Sequence, residues 1–491
     1  MAADYDAIIV GAGVVGVFTA WALQERGLKI CLVDREVGPA QQTSAANAGV
    51  IAPGYVAPFA SPGAARKAFI NLFQEDRAFS WAPSASASQW HWLLRWLSQG
   101  KQTRYERNRA SMFALATYSQ ACLHEVANRL GLSYRSVPAY HVVFRTKEDF
   151  ERSQSLRQQL NNAGLVHRVL SRDELFTFEP SLRDASLPIE AALQVQGDEA
   201  GDCRAFVIKL WEQLMAGGMH WLGSTAVDSI STVSSSLSEC VLADGRRLRA
   251  KHLILAAGPW SLTLLKGLKH RIPIYPIRGF SLTWDEASIP ASVLPRLRQL
   301  GTALMDDRYK IAITPLHSDG TSSLRAAGMA LLGPPAASDR IALARQREAA
   351  NTLWRIASQW FSGLPQATFD QANSHARDLP RFWIGSRPML PDGLPVIGSL
   401  SQHASQSGLW INSGHGSTGW AMAAGSAYLL ADLILGALPS CDSLAVSRLP
   451  SKAIGSASLE ARSNRLGARP STYPIDTMDF SPLRWCRRAQ N

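Results

Sequence analysis

Asp6 to Asp34 reads DAIIVGAGVVGVFTAWALQERGLKICLVD, and this stretch decides the fold. Ala7 to Val10 is a short apolar run, suited to one buried strand. Gly11, Gly13 and Gly16 follow at G-x-G-x-x-G spacing. Apolar residues then recur at helical intervals through Ala20 and Leu23, and Gly27 is placed to stop the helix. A second apolar run, Ile30 to Val33, ends on Asp34. Strand, glycine turn, helix, strand and terminal acid form a βαβ unit of the dinucleotide-binding kind. Each part has a physical task. Gly11 permits the tight turn, Gly13 lets backbone approach a pyrophosphate, and Gly16 lets the helix pack on the strand. The free N–H groups and positive end of the helix dipole face the phosphates. Asp34 can accept hydrogen bonds from the adenosine ribose and would repel a 2′-phosphate.

Outward from this unit, composition bounds the rest. The chain has 491 residues, 46% of them hydrophobic, enough for a large core and more than one structural unit. Cys31, Cys122, Cys203, Cys240, Cys441 and Cys486 are scattered, with no C-x-x-C pair. That argues against a zinc site and a disulfide scaffold, and fits a reducing compartment. The opening residues MAADYD lack the charged and apolar regions of a signal peptide, so a cytoplasmic location is expected. The formal net charge is +11. From Ser447 onward there are eight Arg or Lys and three Asp or Glu, so the tail supplies five of those charges. No nucleic-acid-binding motif accompanies them, and no nucleic-acid partner is expected. Gly419 to Leu438 has the length of a membrane span, but Asp432 and its small residues favour a buried helix. Near the start, Trp92, Leu93, Trp96 and Leu97 share a helical face, read as packed against the body of the protein rather than resting on a membrane.

The sequence returns to the nucleotide unit. LRAKHLILAAG holds a buried strand, Leu253 to Leu255, ending on Ala256-Ala257-Gly258, where small residues let backbone pass close to a ligand. The fold class is therefore α/β. A discontinuous Rossmann-like dinucleotide-binding domain is expected at 1–60, 190–270 and 380–448, with a second domain inserted at 61–189 and 271–379. A basic, flexible tail is expected at 449–491. Further readings are helices over Arg104–Leu130, Lys147–Asn162, Cys203–Ala216 and Ile341–Phe361, and a capping box at Ser171–Glu174. Strands are expected at His141–Arg145, Val166–Leu170, Pro273–Thr283, Tyr309–Thr314 and Leu324–Met329.

Chemistry is expected at two later stretches. LWINSGHGSTGWAMAAGSA, from Leu409, is a strand, a second glycine-rich turn and a helix. Two such turns at opposite ends of the chain favour a long cofactor, FAD, over a nicotinamide nucleotide. Arg387 lies in SRPMLPDG, where a turn held by prolines would present its guanidinium to a carboxylate. Tyr309 could add a hydroxyl to that carboxylate. The expected cofactor-contacting residues are Gly11, Gly13, Val14, Val15, Gly16, Asp34, Arg35, Ser44, Asn47, Ala48, Val227, Ala257, Gly258, Gly414, Gly416, Thr418 and Gly419. His415 and His141 have no evident catalytic partner, and no metal-ligand cluster is apparent.

Taken together, GAGVVGVFTAWAL, TSAANAGVIAPGYVAPFASPG, DEAGDC, PIYPIRGFSLT, YKIAIT, SRPMLPDGLPVIG and NSGHGSTGWAMAAGSA resemble, in order, the FAD-dependent D-amino acid oxidase superfamily and its bacterial D-amino acid dehydrogenase small-subunit branch. The resemblance implies oxidative deamination of D-amino acids, with electrons passed to a quinone-linked acceptor. It leaves peripheral attachment to the inner membrane open. It also implies a discontinuous Rossmann-like FAD-binding domain with an inserted α+β substrate domain containing an antiparallel sheet, and that Arg387, in the family's R-P turn, binds the substrate carboxylate. An enzyme of secondary amines, such as glycine, sarcosine, D-proline or D-hydroxyproline, and a non-catalytic flavin-binding subunit are the competing readings. Pro138-Ala139-Tyr140 and Ala327-Gly328-Met329-Ala330-Leu331 depart from the family pattern, so a reshaped substrate pocket is expected.

Overall fold

The computed structural model describes residues 2–63, 79–82, 86–234, 237–266, 268, 272–318, 320–333, 340–366, 379–401, 408–436 and 475–485. The opening stretch folds as its pattern dictates. Strand Tyr5–Val10, helix Val14–Gln24 and strand Ile30–Val33 follow one another, and Gly27 takes a positive φ of 84° beyond the helix end. Tyr5–Val10 pairs in parallel with Ile30–Val33 on one side and with Arg247–Leu255 on the other. The latter strand pairs in parallel with Leu409–Ser413, and Ile30–Val33 with His220–Leu222. Four distant parts of the chain thus meet in one parallel core. Such strands are buried on both faces, which is why they read as unbroken apolar runs. Antiparallel strands Val227–Ser234, Leu237–Leu242 and Val396–Ser399 extend the sheet.

One layer of helices covers it. Val14–Gln24 packs on Gly419–Ile434, which packs on Gln102–Leu130. The close approach depends on Gly425, where a Cβ would fall 2.8 Å from the Ser119 Cα. The apolar stretch from Gly419 is therefore a buried helix, with Asp432 paired to Arg26 at 2.6 Å. No helix among the described residues is long and apolar enough to cross a membrane.

The second sheet runs Arg381–Met389, Tyr275–Trp284, Thr321–Leu332, Ile311–Ser318, Ala303–Asp306, Tyr140–Phe144, Ala191–Val195, His167–Leu170. Most neighbours in it are antiparallel, but Ala303–Asp306 pairs in parallel with Tyr140–Phe144. Helix Arg340–Trp360 lies against Tyr275–Trp284 and Thr321–Leu332, with Trp284, Leu353 and Trp360 fully buried between them.

Several expectations need correction. Ala191–Val195 and Arg381–Met389, expected at the edges of the nucleotide unit, hydrogen-bond into the second sheet. Sequence pattern marks a strand but not its pairing partner. Lys147–Asn162 is two helices, Lys147–Arg152 and Gln154–Asn162, meeting at Ser153. In helix Ala87–Gln99, Trp92 and Trp96 are buried as expected, but Leu97 is 46% exposed and lines up with Trp90 and Leu94 on the outer face. The tail expected to be flexible includes a docked segment, Ile475–Trp485, whose Phe480 is 1% exposed in the core. Residues 449–474 lie outside the described residues.

Candidate active site

A half-open cavity of about 310 Å³ lies where the two glycine-rich turns converge at the carboxyl ends of the parallel strands. Open α/β sheets bind ligands at this edge. Gly11, Gly13, Val14, Val15, Asp34, Arg35, Ser44, Val227, Ala257, Gly258, Gly416 and Gly419 line it, all expected from sequence. The glycine roles are resolved in space. A Cβ on Gly11 would sit 2.6 Å from the Ala256 carbonyl oxygen, and Gly11 has a φ of +108°. A Cβ on Gly16 would sit 1.7 Å from the Gly11 carbonyl oxygen, so Gly16 serves helix–strand packing and does not line the cavity.

The cavity suits FAD by its donors. Helices Val14–Gln24 and Gly419–Ile434 both begin there, without a side-chain cap and without an acid in the first turn. Their first N–H groups and dipoles therefore favour oxyanions. The Val14 N–H donates to Ser44 Oγ at 3.0 Å, which ties the loop after Asp34 to the phosphate turn. The Asp34 carboxylate accepts from the Ala12 N–H at 2.6 Å and the Glu36 N–H at 2.9 Å. Burial raises its pKa, against the lowering effect of those two amides. Each oxygen keeps a lone pair for a ribose hydroxyl.

Asn47, Ala48, Gly414 and Thr418 do not line the cavity. They brace it instead. The Thr43 hydroxyl donates to the Ser386 carbonyl at 2.8 Å, Arg325 to the Asn47 carbonyl at 3.0 Å, and the Thr314 hydroxyl to the Ala48 carbonyl at 2.8 Å. The small-residue loop thereby fastens the nucleotide unit to the second sheet. Thr418 donates to the His415 carbonyl, and Gly414 turns at a φ of +84°. Sequence reasoning missed Trp260 in the wall, and the Arg35 guanidinium stacks over its ring at 4.0 Å. The Pro-Trp following the Ala-Ala-Gly strand end was the available signal.

Arg387 sits within strand Arg381–Met389, opposite Ile277, and not on a turn. Pro388, its neighbour, lines the cavity. The guanidinium donates to the Met329 carbonyl at 2.5 Å and the Gly328 carbonyl at 3.1 Å. Met329 takes a φ of +54°, a conformation uncommon for a side chain of its size, at a bulge in Thr321–Leu332. Gly279 leaves the space that the guanidinium fills, for a Cβ there would lie 2.4 Å from Arg387 Cζ. Two N–H groups are used on carbonyls and three remain for a carboxylate. Burial pushes the guanidinium pKa down to about 10.

Tyr309 does not join it. Its ring lies between the guanidinium groups of Arg145 and Arg355, at 4.8 and 5.5 Å, packed on the core beside helix Arg340–Trp360. Arg145 in turn pairs with buried Asp306 at 2.6 Å. Strand Ile311–Ser318 starts two residues later than expected, which leaves Tyr309 in the preceding turn. The two histidines differ in place, for His415 lines the cavity and His141 does not. His415 bonds Ser426 at 2.9 Å and His141 bonds Thr302 at 2.7 Å; burial pushes them down to about 3 and about 4. Both are therefore neutral near pH 7. No metal-binding group of His, Cys, Asp or Glu occurs among the described residues, and Cys31, Cys122, Cys203 and Cys240 are free and buried.

The family model described as FAD dependent oxidoreductase (DAO) matches residues 6–433. Among solved structures, glycine oxidase from Bacillus cereus superposes with a TM-score of 0.62 at 18% identity, over 88% of this chain and 95% of that one. L-proline dehydrogenase from P. horikoshii gives 0.60 at 15% identity, over 90% and 96%. Dithionite-reduced L-α-glycerophosphate oxidase from Mycoplasma pneumoniae, with FAD bound, gives 0.59 at 18%, over 89% and 95%. At these identities the likeness is one of fold.

Proposed function

We propose that this chain, which belongs to the DAO family of FAD-dependent oxidoreductases, oxidatively deaminates D-amino acids and passes the electrons to a quinone-linked acceptor. The observation that carries the reading is Arg387. Its cation lies one residue from a cavity-lining proline, aimed by two backbone carbonyls, with N–H groups left for a carboxylate.

Gly11, Gly13, Val14, Val15, Asp34 and Ser44 would hold the adenosine diphosphate part of FAD, and the turn at Gly416 and Gly419 its ring edge. Bound FAD supplies the acceptor for hydride from the substrate Cα. Arg387 fixes the carboxylate, which leaves the pocket walls to select the hydrogen facing the acceptor. The uncapped helix at Gly419 favours negative charge on the reduced cofactor. The amine must be neutral before hydride leaves, and no described side chain stands out as its base, so water takes that proton. The imino acid then hydrolyses to a 2-oxo acid and ammonia.

The test is anaerobic addition of D-alanine, D-proline, sarcosine and L-alanine to the purified holoprotein while the flavin band is recorded. Bleaching by D-alanine without L-alanine supports the proposal. Bleaching by sarcosine or D-proline alone moves the substrate to secondary amines. A band that none of them bleaches removes the catalytic reading. Reoxidation of the bleached band by a soluble quinone, faster than by dissolved oxygen, is the outcome expected for the acceptor.

A further inference from the structure

The C-terminal segment Ile475–Trp485 lies against the outer side of the turn that follows Arg387. Phe480 is buried in the core, and its short helix packs against strand Val396–Ser399. Asp479 pairs with Arg107 and accepts from the Ser111 hydroxyl at 2.6 Å, which anchors the segment to helix Gln102–Leu130. Arg484 reaches the turn itself. Its Nε donates to Asp392 Oδ2 at 2.9 Å and its Nη2 to the Leu394 carbonyl at 2.8 Å. Both side chains of this pair are largely buried, with 16% and 9% of their surface exposed. Asp392 also accepts from the Leu394 N–H at 3.2 Å, and its carbonyl takes a bond from Asn108 at 3.1 Å.

The inner side of the same turn meets the site. Met389 forms a bridge with His415, and its sulfur lies 2.6 Å from where a Gly416 Cβ would stand. Leu390 Cδ1 lies 2.5 Å from the corresponding position on Gly414. Residues 387–394 therefore carry the proposed substrate arginine at one end, prop the second glycine turn in the middle and meet Arg484 at the other.

We propose that Arg484 is a positioning residue, through which the C-terminal segment holds the Met389–Leu394 turn in the geometry that Arg387 and the Gly414–Gly416 turn require. One short bond to the Asp392 carboxylate and one to the Leu394 carbonyl, both from a guanidinium of low exposure, fix direction as well as distance. Without it, Asp392 is left buried and unpaired, and the turn is free to shift toward water. A displacement of about 1 Å is enough to disturb catalytic alignment. The effect on substrate rests on the function proposed above. The effect on FAD does not.

The test compares Arg484→Ala, Arg484→Lys and Asp479→Asn with the unaltered chain. FAD affinity is read by titrating the apoprotein and following flavin fluorescence, beside KM, kcat and Tm. Arg484→Ala is expected to weaken FAD binding about tenfold and raise KM for D-alanine about tenfold, with kcat changed less than about twofold. Arg484→Lys, which keeps the charge without the fork, recovers part of both. Asp479→Asn loosens the far end of the segment and weakens FAD binding about twofold to threefold. This variant keeps the proposal testable if Arg484→Ala does not fold. A lower Tm with unchanged FAD affinity and KM overturns the proposal, because a merely structural staple behaves that way. An intact FAD response in a chain that turns over no D-amino acid upholds the positioning role for the cofactor turn and removes the proposed substrate.

Discussion

Arg387 keeps its charge inside protein, and pH exposes the consequence. Its pKa is pushed down to about 10, so the cation is complete below that pH and is lost as pH rises through it. A monocarboxylate without an amine isolates this group from titration of the substrate. The inhibition constant of propionate is expected to be flat to about pH 9.5, then to rise about tenfold per unit above pH 10. A flat profile to pH 11 would show that burial does not depress the guanidinium, and unchanged propionate inhibition in Arg387→Ala would remove Arg387 as the carboxylate ligand. Buried His141 and His415 act on stability with the opposite pH sense. Their folded pKa values, about 4 and about 3, lie below the unfolded value of 6.5. The unfolded chain therefore binds protons that the native state refuses as pH falls below 6.5. Each histidine is expected to lower stability by about 1.4 kcal/mol per pH unit from there down to its folded pKa. Urea unfolding at pH 6.5 and 5 should show a shallower slope for His141→Gln than for the unaltered chain.

At the scale of elements, the site depends on strands and helices approaching more closely than side chains normally permit. Tyr275–Trp284 and Arg381–Met389 pair with Gly279 opposite Gly385, and the Arg387 guanidinium crosses above Gly279. Gly279→Ala is expected to displace that guanidinium from the Gly328 and Met329 carbonyls. KM for the amino acid should rise about tenfold or more with FAD affinity unchanged, a pattern that steady-state kinetics and flavin titration together distinguish. A change in FAD affinity alone would place Arg387 in cofactor binding instead. Helix Gly419–Ile434 relies on Gly425 in the same way. Gly425→Leu should lower stability by about 1–3 kcal/mol through overpacking against Ser119, as thermal melting would read.

Across the whole molecule, the cavity is assembled from residues near 11, 44, 227, 257 and 416. A ligand that touches all of them binds the native state and not the unfolded chain. FAD at about 100 times its dissociation constant should therefore add about 2.7 kcal/mol and raise Tm by several degrees over the apoprotein. An apoprotein that melts at the same temperature would contradict assembly of this site by the fold.

The sequence by itself determined the parts whose physics is local. G-x-G-x-x-G spacing, the apolar runs Ala7–Val10 and Ile30–Val33, the stop at Gly27 and the capping box at Ser171 depend on near neighbours along the chain, and all four form as read. Twelve of the expected cofactor residues line the cavity, but it is the fold that brings them together from distant segments. Tertiary structure alone decided what depends on pairing across the chain. It placed Arg381–Met389 and Ala191–Val195 in the second sheet, put Tyr309 between two arginines, and aimed Arg387 with the carbonyls of a bulge on another strand. It also brought Ile475–Trp485 back from a stretch without periodicity onto the core, through one buried phenylalanine and two charged contacts. Spacing along a chain encodes which face a residue presents. Which surface meets that face is settled only when distant segments exclude water together.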